Sequence, residues 1–287
     1  NFVSRLRADS GVDSQYIESG LLVLPPYDRD KAIAWAATQR ETLAEVSPRL
    51  VEPGLRHAGP ALWLPQVAQV RNPRLLQALR GALATQSVSV HEGVEVQAFR
   101  LAGGKIDAVL SRDGVSHSGG QIIVAAGAWT PGVLGAMGHA LQISPVRGQM
   151  LLYNVAPHLL RRIVLADGTY LIPREDGHIL VGSTLEEVGF DPSVTDEARS
   201  VLKRRAEAVL PQLRDLEPVR QWAGLRPGSP DNVPVIGRHP EIGNLWVSSG
   251  HFRYGVTMAP ASARLLADLL LGREPLLDPA PYAWPTA

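Results

Sequence analysis

The chain has 287 residues, enough for two packed units, and its 28 basic and 28 acidic side chains cancel. That balance provides no global field to draw in nucleic acid or an anionic membrane. The absence of cysteine excludes disulfides, thiolate nucleophiles, iron–sulfur clusters, Cys-based zinc sites and a cysteine-tethered flavin.

The chain opens without Met, and Asn1–Asp9 reads as the last turns of a helix already under way, as in a fragment of a longer protein. This opening carries charge early and has no apolar signal core. No apolar run reaches the roughly 18 residues that span a bilayer, so a soluble, cytoplasmic protein is expected. Leu21–Leu24 predicts a short strand. From about Asp28 to Val46, Ala32, Ile33, Trp35, Ala36, Leu43 and Val46 recur mostly every three or four residues, which predicts a helix. Asn72, as a cap ahead of Pro73 in the first helical position, predicts a second helix to about Ala84. Val88–His91, Val94–Leu101 and Lys105–Leu110 predict a meander that turns at Gly103-Gly104. Gln121–Ala125 is almost wholly apolar, the pattern of a strand buried on both faces.

Further strands are predicted at Gln149–Tyr153, Tyr170–Pro173 and His178–Gly182, the last two joined by Glu175-Asp176-Gly177. Asp196–Leu210 predicts a third helix, stopped by Pro211. Leu245–Ser248 predicts a strand before a fourth helix, roughly Ala259–Leu271, which Gly272 closes. The mixture predicts an α/β or α+β protein of two units, without repeats.

Four segments carry candidate chemistry. Ile122 to Thr130 is an apolar strand ending in Ala126-Gly127, where backbone or ligand can come close; a tight glycine turn explains it equally well. Trp222 to Gly237 is so dense in Gly and Pro that an ordered loop is expected, carrying Arg226. A guanidinium fork holds a carboxylate with two bonds, although a structural arginine is the plain alternative. Val247 to Thr257 joins a strand, a Gly-flanked loop and a helix N-terminus, a combination that favours anions. His251 in that loop also reads as a packing histidine, and without a second ligand at metal spacing no metal site is predicted. Tyr170, at the start of a strand, offers a hydroxyl to a small polar substrate or simply packs.

In this order and spacing the segments resemble the FAD-dependent D-amino-acid oxidase superfamily, most closely its glycine oxidase branch. The resemblance runs from Ser10-Gly11-Val12-Asp13 to about Asp278. It is most specific at Pro145-Val146-Arg147-Gly148-Gln149, Tyr170 to Arg174, Trp222 to Asp231, Gly237-Arg238-His239-Pro240, and Gly250-His251-Phe252-Arg253 with Ala259-Pro260. It implies that Arg226 pairs with the substrate carboxylate, that the Tyr170 hydroxyl helps hold it, and that Arg253 is a second active-site arginine. It further implies that Gly250, His251, Phe252, Arg253, Tyr254, Gly255, Val256 and Thr257 lie against a flavin ring. Val94 would approach the adenine part of the cofactor, and Ala126, Gly127 and Trp129 would form a turn that touches FAD.

The implied reaction is oxidation of glycine or another small amino acid or amine, with dioxygen reduced to hydrogen peroxide, and with a place in thiamine biosynthesis. A D-amino-acid dehydrogenase, a sarcosine-type N-methyl-amino-acid oxidase and a flavin-free, inactive module are the alternatives, and a homo-oligomer stays open. The chain departs from the family's pattern at three points. It contains no G-x-G-x-x-G, the family's pyrophosphate motif, so an N-terminally truncated Rossmann-like domain with weak or absent FAD binding is expected. Leu185 stands at the pocket position of a methionine, and Gly168 where the family has an active-site histidine. The expected units are 66–135 with 222–287 for the FAD-binding remnant, and 1–65 with 136–221 for a substrate domain built on a mixed or antiparallel sheet.

Overall fold

The computed structural model describes residues 2–57, 59–135, 137 and 141–285. Asn1 of the expected first helix, and positions 58, 136, 138–140, 286 and 287 of the expected units, lie outside the described residues. The elements begin with α1 (Phe2–Ser10), β1 (Leu21–Leu24), α2 (Arg29–Gln39), β2 (Ala44–Val46), α3 (Pro48–Val51), β3 (Ala61–Leu64) and α4 (Asn72–Thr85). Then come β4 (Val96–Ala102), β5 (Lys105–Ser111), β6 (Ser116–His117), β7 (Ile122–Val124), α5 (Thr130–Leu134), β8 (Ser144–Asn154), β9 (Ile163–Ala166), β10 (Thr169–Pro173) and β11 (His178–Gly182). The chain continues through α6 (Asp196–Val209), β12 (Arg220–Gly228), β13 (Val235–Arg238), β14 (Leu245–Ser249) and α7 (Gly255–Leu270). They sort into two compact units. Unit 1 comprises 1–86, 148–186 and 192–224; unit 2 comprises 87–147, 187–191 and 225–287.

Unit 1 is built on an eight-stranded sheet of order β12-β8-β11-β10-β9-β1-β3-β2. β1 and β9 run parallel, while β1–β3, β2–β3, β9–β10, β10–β11 and β8–β11 run antiparallel. Alternation along β10 and β11 buries Leu171, Ile179 and Val181 on one face, together with Leu22, Leu151, Tyr153 and Val164. α6 covers that core with Ala198, Leu202, Ala206 and Val209, spaced as one helical stripe. It starts where the Thr195 hydroxyl accepts from the Ala198 amide at 3.2 Å, with Asp196 and Glu197 placed to suit the positive dipole end.

Gln149, from the motif at 145–149, is fully buried. Its amide nitrogen donates to Glu186 and to Thr195 Oγ1 at 3.1 Å, while its oxygen accepts from Thr195 N at 2.9 Å and Gln221 Nε2 at 3.0 Å. A buried amide so fully satisfied fixes its neighbours in place, since any shift strands a polar atom.

Unit 2 has two three-stranded sheets, β4-β5-β6 and β13-β14-β7. The β4–β5 hairpin turns at Gly103-Gly104, both at positive φ (56° and 73°), where only glycine is free of strain. Asn244 links this hairpin to the second sheet: its oxygen accepts from Ile106 N and its nitrogen donates to Ile106 O, both at 2.8 Å. β7 pairs parallel with β14, and α7 buries Leu265 and Leu266 against Ile236 and Trp246.

Several local expectations are corrected. The helix expected from Asp28 to Val46 ends at Gln39, because Arg40 turns left-handed (φ 56°, ψ 33°) and Val46 pairs with Ala61 as part of β2. Ile33 and Trp35, in its apolar pattern, are exposed, and Ala36 is the buried residue. Sheet pairing outweighed a period that Leu43 and Val46 only extended by chance. Val88–His91 forms no strand. The segment expected as a loop around Arg226 is β12, nine residues long. As the outermost strand of its sheet, it tolerates Pro227, whose missing N–H would break a central ladder. β7 is not buried on both faces, for Ile123 is 47% exposed at the sheet edge. α7 begins at Gly255, four residues before the expected start, with Pro260 still within its early turns. Among the described residues no helix is long and apolar enough to cross a membrane.

Candidate active site

Unit 2 holds most of the predicted site residues. After β7 the chain turns through Ala126 into a short 3-10 turn, Gly127–Trp129, and then α5. Gly127 sits at φ +55°, and nothing lies within 4 Å of where a Cβ would stand, so the turn presents bare backbone to open space. Two buried hydroxyls hold it: Thr130 Oγ1 donates to Ser249 Oγ (2.8 Å), and Ser249 Oγ donates to the Gly127 carbonyl (3.0 Å). The Gly127 turn is thereby fastened to the end of β14.

From Ser249 the chain enters Gly250 at φ +84°, whose carbonyl accepts from Ser229 Oγ at 2.7 Å. The Phe252 amide donates to the Pro227 carbonyl at 3.0 Å. These two bonds lay the segment 250–254 along the end of β12, beside the half-buried Arg226. Arg253 and Tyr254 are exposed, and Arg253 makes no hydrogen bond or ion pair among the described residues. α7 then starts at Gly255 with no side-chain cap and no acidic residue in its first turn. Val256 and Thr257 are exposed there. A 16-residue helix concentrates about half a positive charge at such an end.

The His251 ring is half-buried, and its Nε2 meets the Ser262 hydroxyl of α7 at 2.9 Å. Burial pushes its pKa below the ordinary 6.5, so the ring is neutral at neutral pH. Beside Phe252 lies a cavity of about 430 Å³, lined by Ile143, Val146, Glu187, Gly228 and Ser229 among others. Close by in sequence, Arg147 is buried and pairs with Asp191 at 2.6 Å, while Phe190 stacks at a tilt on Trp129 with centroids 5.7 Å apart. Val94 stands 38% exposed just ahead of β4.

Tyr170 and Leu185 belong to unit 1. Tyr170 faces Gly182 across the β10–β11 ladder, and its hydroxyl meets Met150 Sδ at 3.6 Å. A Cβ at position 182 would lie 2.9 Å from the Met150 methyl and 3.0 Å from the Tyr170 hydroxyl, so the missing side chain is what admits the tyrosine. Leu185 is 57% exposed, and Gly168 is a turn glycine at φ +71°. The hydroxyls of Thr130, Ser229, Ser249 and Ser262, which hold the turns of unit 2, were not singled out from sequence. Only the small-residue run Ser248-Ser249-Gly250 hinted at them, because side chains this short are useful only once the chain is folded.

A family profile described as FAD dependent oxidoreductase matches residues 1–269. The chain is 45% identical over 285 residues to a glycine oxidase of Pseudomonas aeruginosa, covering 97% of this chain and 78% of that one. The chain belongs to the FAD-dependent oxidoreductase family. A glycine oxidase of Pseudomonas putida is 43% identical over 287 residues, with the same coverage. Among solved structures, the glycine oxidase of Geobacillus kaustophilus superposes with a TM-score of 0.92 at 27% identity, covering 100% of this chain and 80% of that one. That of Bacillus cereus gives 0.88 at 26%, covering 95% and 77%.

The residues of unit 2 fit the cofactor of this FAD-dependent family. Gly127 offers backbone that a side chain would block, the α7 start offers unclaimed amides with no acid to repel an electron-rich ring, and Trp129, Tyr254 and Val256 offer exposed apolar surface. Among the described residues no group of three His, Asp or Glu side chains is placed to hold a metal.

Proposed function

We propose that this family member oxidises glycine or another small amino acid, with dioxygen as the electron acceptor. FAD, when bound, would supply the redox chemistry, a two-electron oxidation at the substrate's α-carbon–nitrogen bond with dioxygen reduced to hydrogen peroxide. The oxidised substrate is an imine, which water hydrolyses to a 2-oxo acid and ammonia.

The chain's own residues bind and orient. Arg226 takes the substrate carboxylate through its guanidinium fork, a charge-assisted pair stronger than a neutral hydrogen bond. The half-buried setting of its strand limits competing water. Tyr170, whose hydroxyl meets only a thioether among the described residues, has the carboxylate-holding role implied by resemblance. The α7 N-terminus would favour negative charge on a ring lying against it. The Gly250–Tyr254 loop and the Ala126–Trp129 turn would hold that ring. His251, kept neutral by burial, adds no fixed charge of its own. Arg253 supplies a second, exposed cation, and Leu185 and Val94 have the roles implied by resemblance, at the pocket wall and the adenine end. No protein acid or base is needed if the neutral amine reacts, so positioning carries the catalysis.

The observation that carries this reading is the pair of hydrogen bonds that lay the 250–254 loop along the Arg226 strand, Phe252 N to Pro227 O and Ser229 Oγ to Gly250 O. The test begins with visible flavin absorbance of the purified chain given FAD, then peroxide release with glycine, sarcosine and D-alanine. Arg226→Lys keeps the charge and loses the fork. It should lower kcat/KM by about 100-fold, corresponding to one or two charged hydrogen bonds of ~1.5–3 kcal/mol each. Turnover unchanged in Arg226→Lys and in Arg226→Ala would reject the assignment. Reduction of a dye without peroxide would instead mark a dehydrogenase, and a colourless protein that takes up no FAD would mark an inactive module.

A further inference from the structure

Within unit 1, Gln149 grips both chain neighbours of Leu185. Its backbone holds one side: the Gln149 amide donates to Thr184 Oγ1 at 2.8 Å, and the Thr184 amide donates to the Gln149 carbonyl at 3.3 Å. Its side chain holds the other, for Nε2 donates to the two Glu186 carboxylate oxygens at 3.0 and 3.3 Å. The Thr184 hydroxyl also donates to Glu186, which closes a ring of three residues around Leu185. Leu185 itself is exposed and stands three residues past Gly182, the glycine that faces Tyr170 across the β10–β11 ladder. A leucine side chain has no polar anchor of its own, so where this one stands follows from where its neighbours are fixed.

The Gln149 amide has a single orientation open to it. A glutamine side chain offers two N–H donors and an oxygen with two lone pairs, and here each is taken. Beyond Glu186, Nε2 donates to Thr195 Oγ1 at 3.1 Å, and the oxygen accepts from Thr195 N at 2.9 Å and Gln221 Nε2 at 3.0 Å. Gln221 in turn donates to the Thr195 carbonyl at 2.9 Å, so the start of α6 and the strand β12 fix the plane of the amide. Turning it over would set donor against donor at Thr195 N and Gln221. An apolar side chain at 149 would take a donor from Glu186 and strand polar atoms in the interior, where no water replaces the lost partner. The motif at 145–149 thus contributes a residue whose bonds converge on the two peptides that flank Leu185.

We propose that Gln149 is a positioning residue for substrate selection: through Thr184 and Glu186 it sets the Leu185 side chain, and with it the size of substrate side chain that is admitted. This rests on the pocket-wall role of Leu185 in the oxidation of small amino acids proposed above. The readout is kcat/KM for D-valine relative to glycine, from peroxide release with added FAD. Leu185→Ala clears the wall and should raise that ratio by about tenfold or more. Gln149→Met keeps the side-chain length, loses the amide's bonds, and should raise the ratio by about threefold or more. In the Leu185→Ala background Gln149→Met should change the ratio no further, since no wall is left to position; a merely structural residue would lower the melting temperature and leave the ratio alone in both backgrounds. Thr184→Val should act as Gln149→Met does, and Thr184→Ser, which keeps the hydroxyl, should restore the ratio. The Thr184 and Thr195 amides, both bonded to residue 149, should exchange hydrogen faster in Gln149→Met while the β10–β11 ladder stays protected. An unchanged ratio in Gln149→Met with glycine still oxidised, effects of Gln149→Met and Leu185→Ala that multiply, or unaltered exchange at Thr184 would each overturn the proposal and leave the oxidase reading standing. If Gln149→Met does not fold, the Thr184 pair decides by the same ratio. An unsubstituted chain that binds FAD and oxidises neither amino acid would overturn the oxidase reading, and the positioning role with it.

Discussion

Replacing Gly182 with alanine probes Tyr170 without touching it. The new Cβ would stand 2.9 Å from the Met150 methyl, 3.0 Å from the Tyr170 hydroxyl and 3.1 Å from its ring, where ordinary contact begins at 3.4 Å. The methionine methyl is the end of a flexible chain and swings away, whereas the tyrosine ring is fixed by its strand and must tilt by about 0.4 Å, the difference between those contacts. Overpacking of this kind costs about 1–3 kcal/mol, and alanine regains roughly 0.4–1 kcal/mol by stiffening the unfolded chain. A net loss of about 1–2 kcal/mol lowers the melting temperature by roughly 2–6 °C in a chain of this size.

The displaced hydroxyl should also raise KM for an amino-acid substrate by about three- to tenfold, since positional errors near 1 Å cost about 100-fold. Adding Met150→Ala to Gly182→Ala removes the methyl contact and leaves the tyrosine contact, so the double variant should keep the raised KM. Calorimetric melting and peroxide-coupled kinetics with added FAD report the two quantities separately. A lowered melting temperature with unchanged KM would show that Tyr170 does not contact substrate, and no change in either would refute the packing described around Gly182.

Tyr170→Phe should raise KM with little effect on stability, because the hydroxyl loses only a 3.6 Å contact with sulfur; a stability loss beyond about 1 kcal/mol would point to a structural role instead. Tyr153 is fully buried with its hydroxyl unpartnered among the described residues, and burial, reinforced by Glu207 and Glu217, pushes its pKa up to about 12. Tyr153→Phe should stabilise the chain by about 1 kcal/mol in urea titration, the cost of an unsatisfied buried group. It should also remove stability loss specific to alkaline pH: the unfolded tyrosine ionises near 10 and the folded one only near 12, so the folded state loses ground as pH rises between them. A destabilised Tyr153→Phe would mean that the hydroxyl has a partner. For His251 the sign is opposite. Burial holds the folded ring below 6.5, so the unfolded state takes up the proton first and stability falls as pH drops beneath about 6.5. His251→Asn should flatten that part of the profile, and an unchanged acid limb would show that the ring is not desolvated.

Much of the fold is legible in the amino-acid sequence because its signals are local. β1, β11, α6 and the Gly103-Gly104 hairpin follow from apolar period, caps and turn glycines, which act over a few residues; α4 follows from its apolar period and Pro73, but Arg71 stands at the N-cap and Asn72, expected there, is the first helical residue and makes no cap. The candidate site, with Arg226, Tyr170 and the Gly250–Thr257 segment, comes from the order of motifs and the resemblance they carry, and its roles are the proposal that these substitutions test. Tertiary structure decided what depends on neighbours far along the chain. β12 is a strand, despite its Gly and Pro, because it lies at a sheet edge where a missing N–H breaks no central ladder. α2 stops at Gln39 because the next residues gain more as β2, pairing with β3. Ile123 is exposed because β7 borders its sheet, which no apolar run can announce. The serine and threonine hydroxyls that fasten the Gly127 turn and the 250–254 loop became evident only in three dimensions, because a hydroxyl's value lies in the distance to a partner and sequence spacing does not encode that distance.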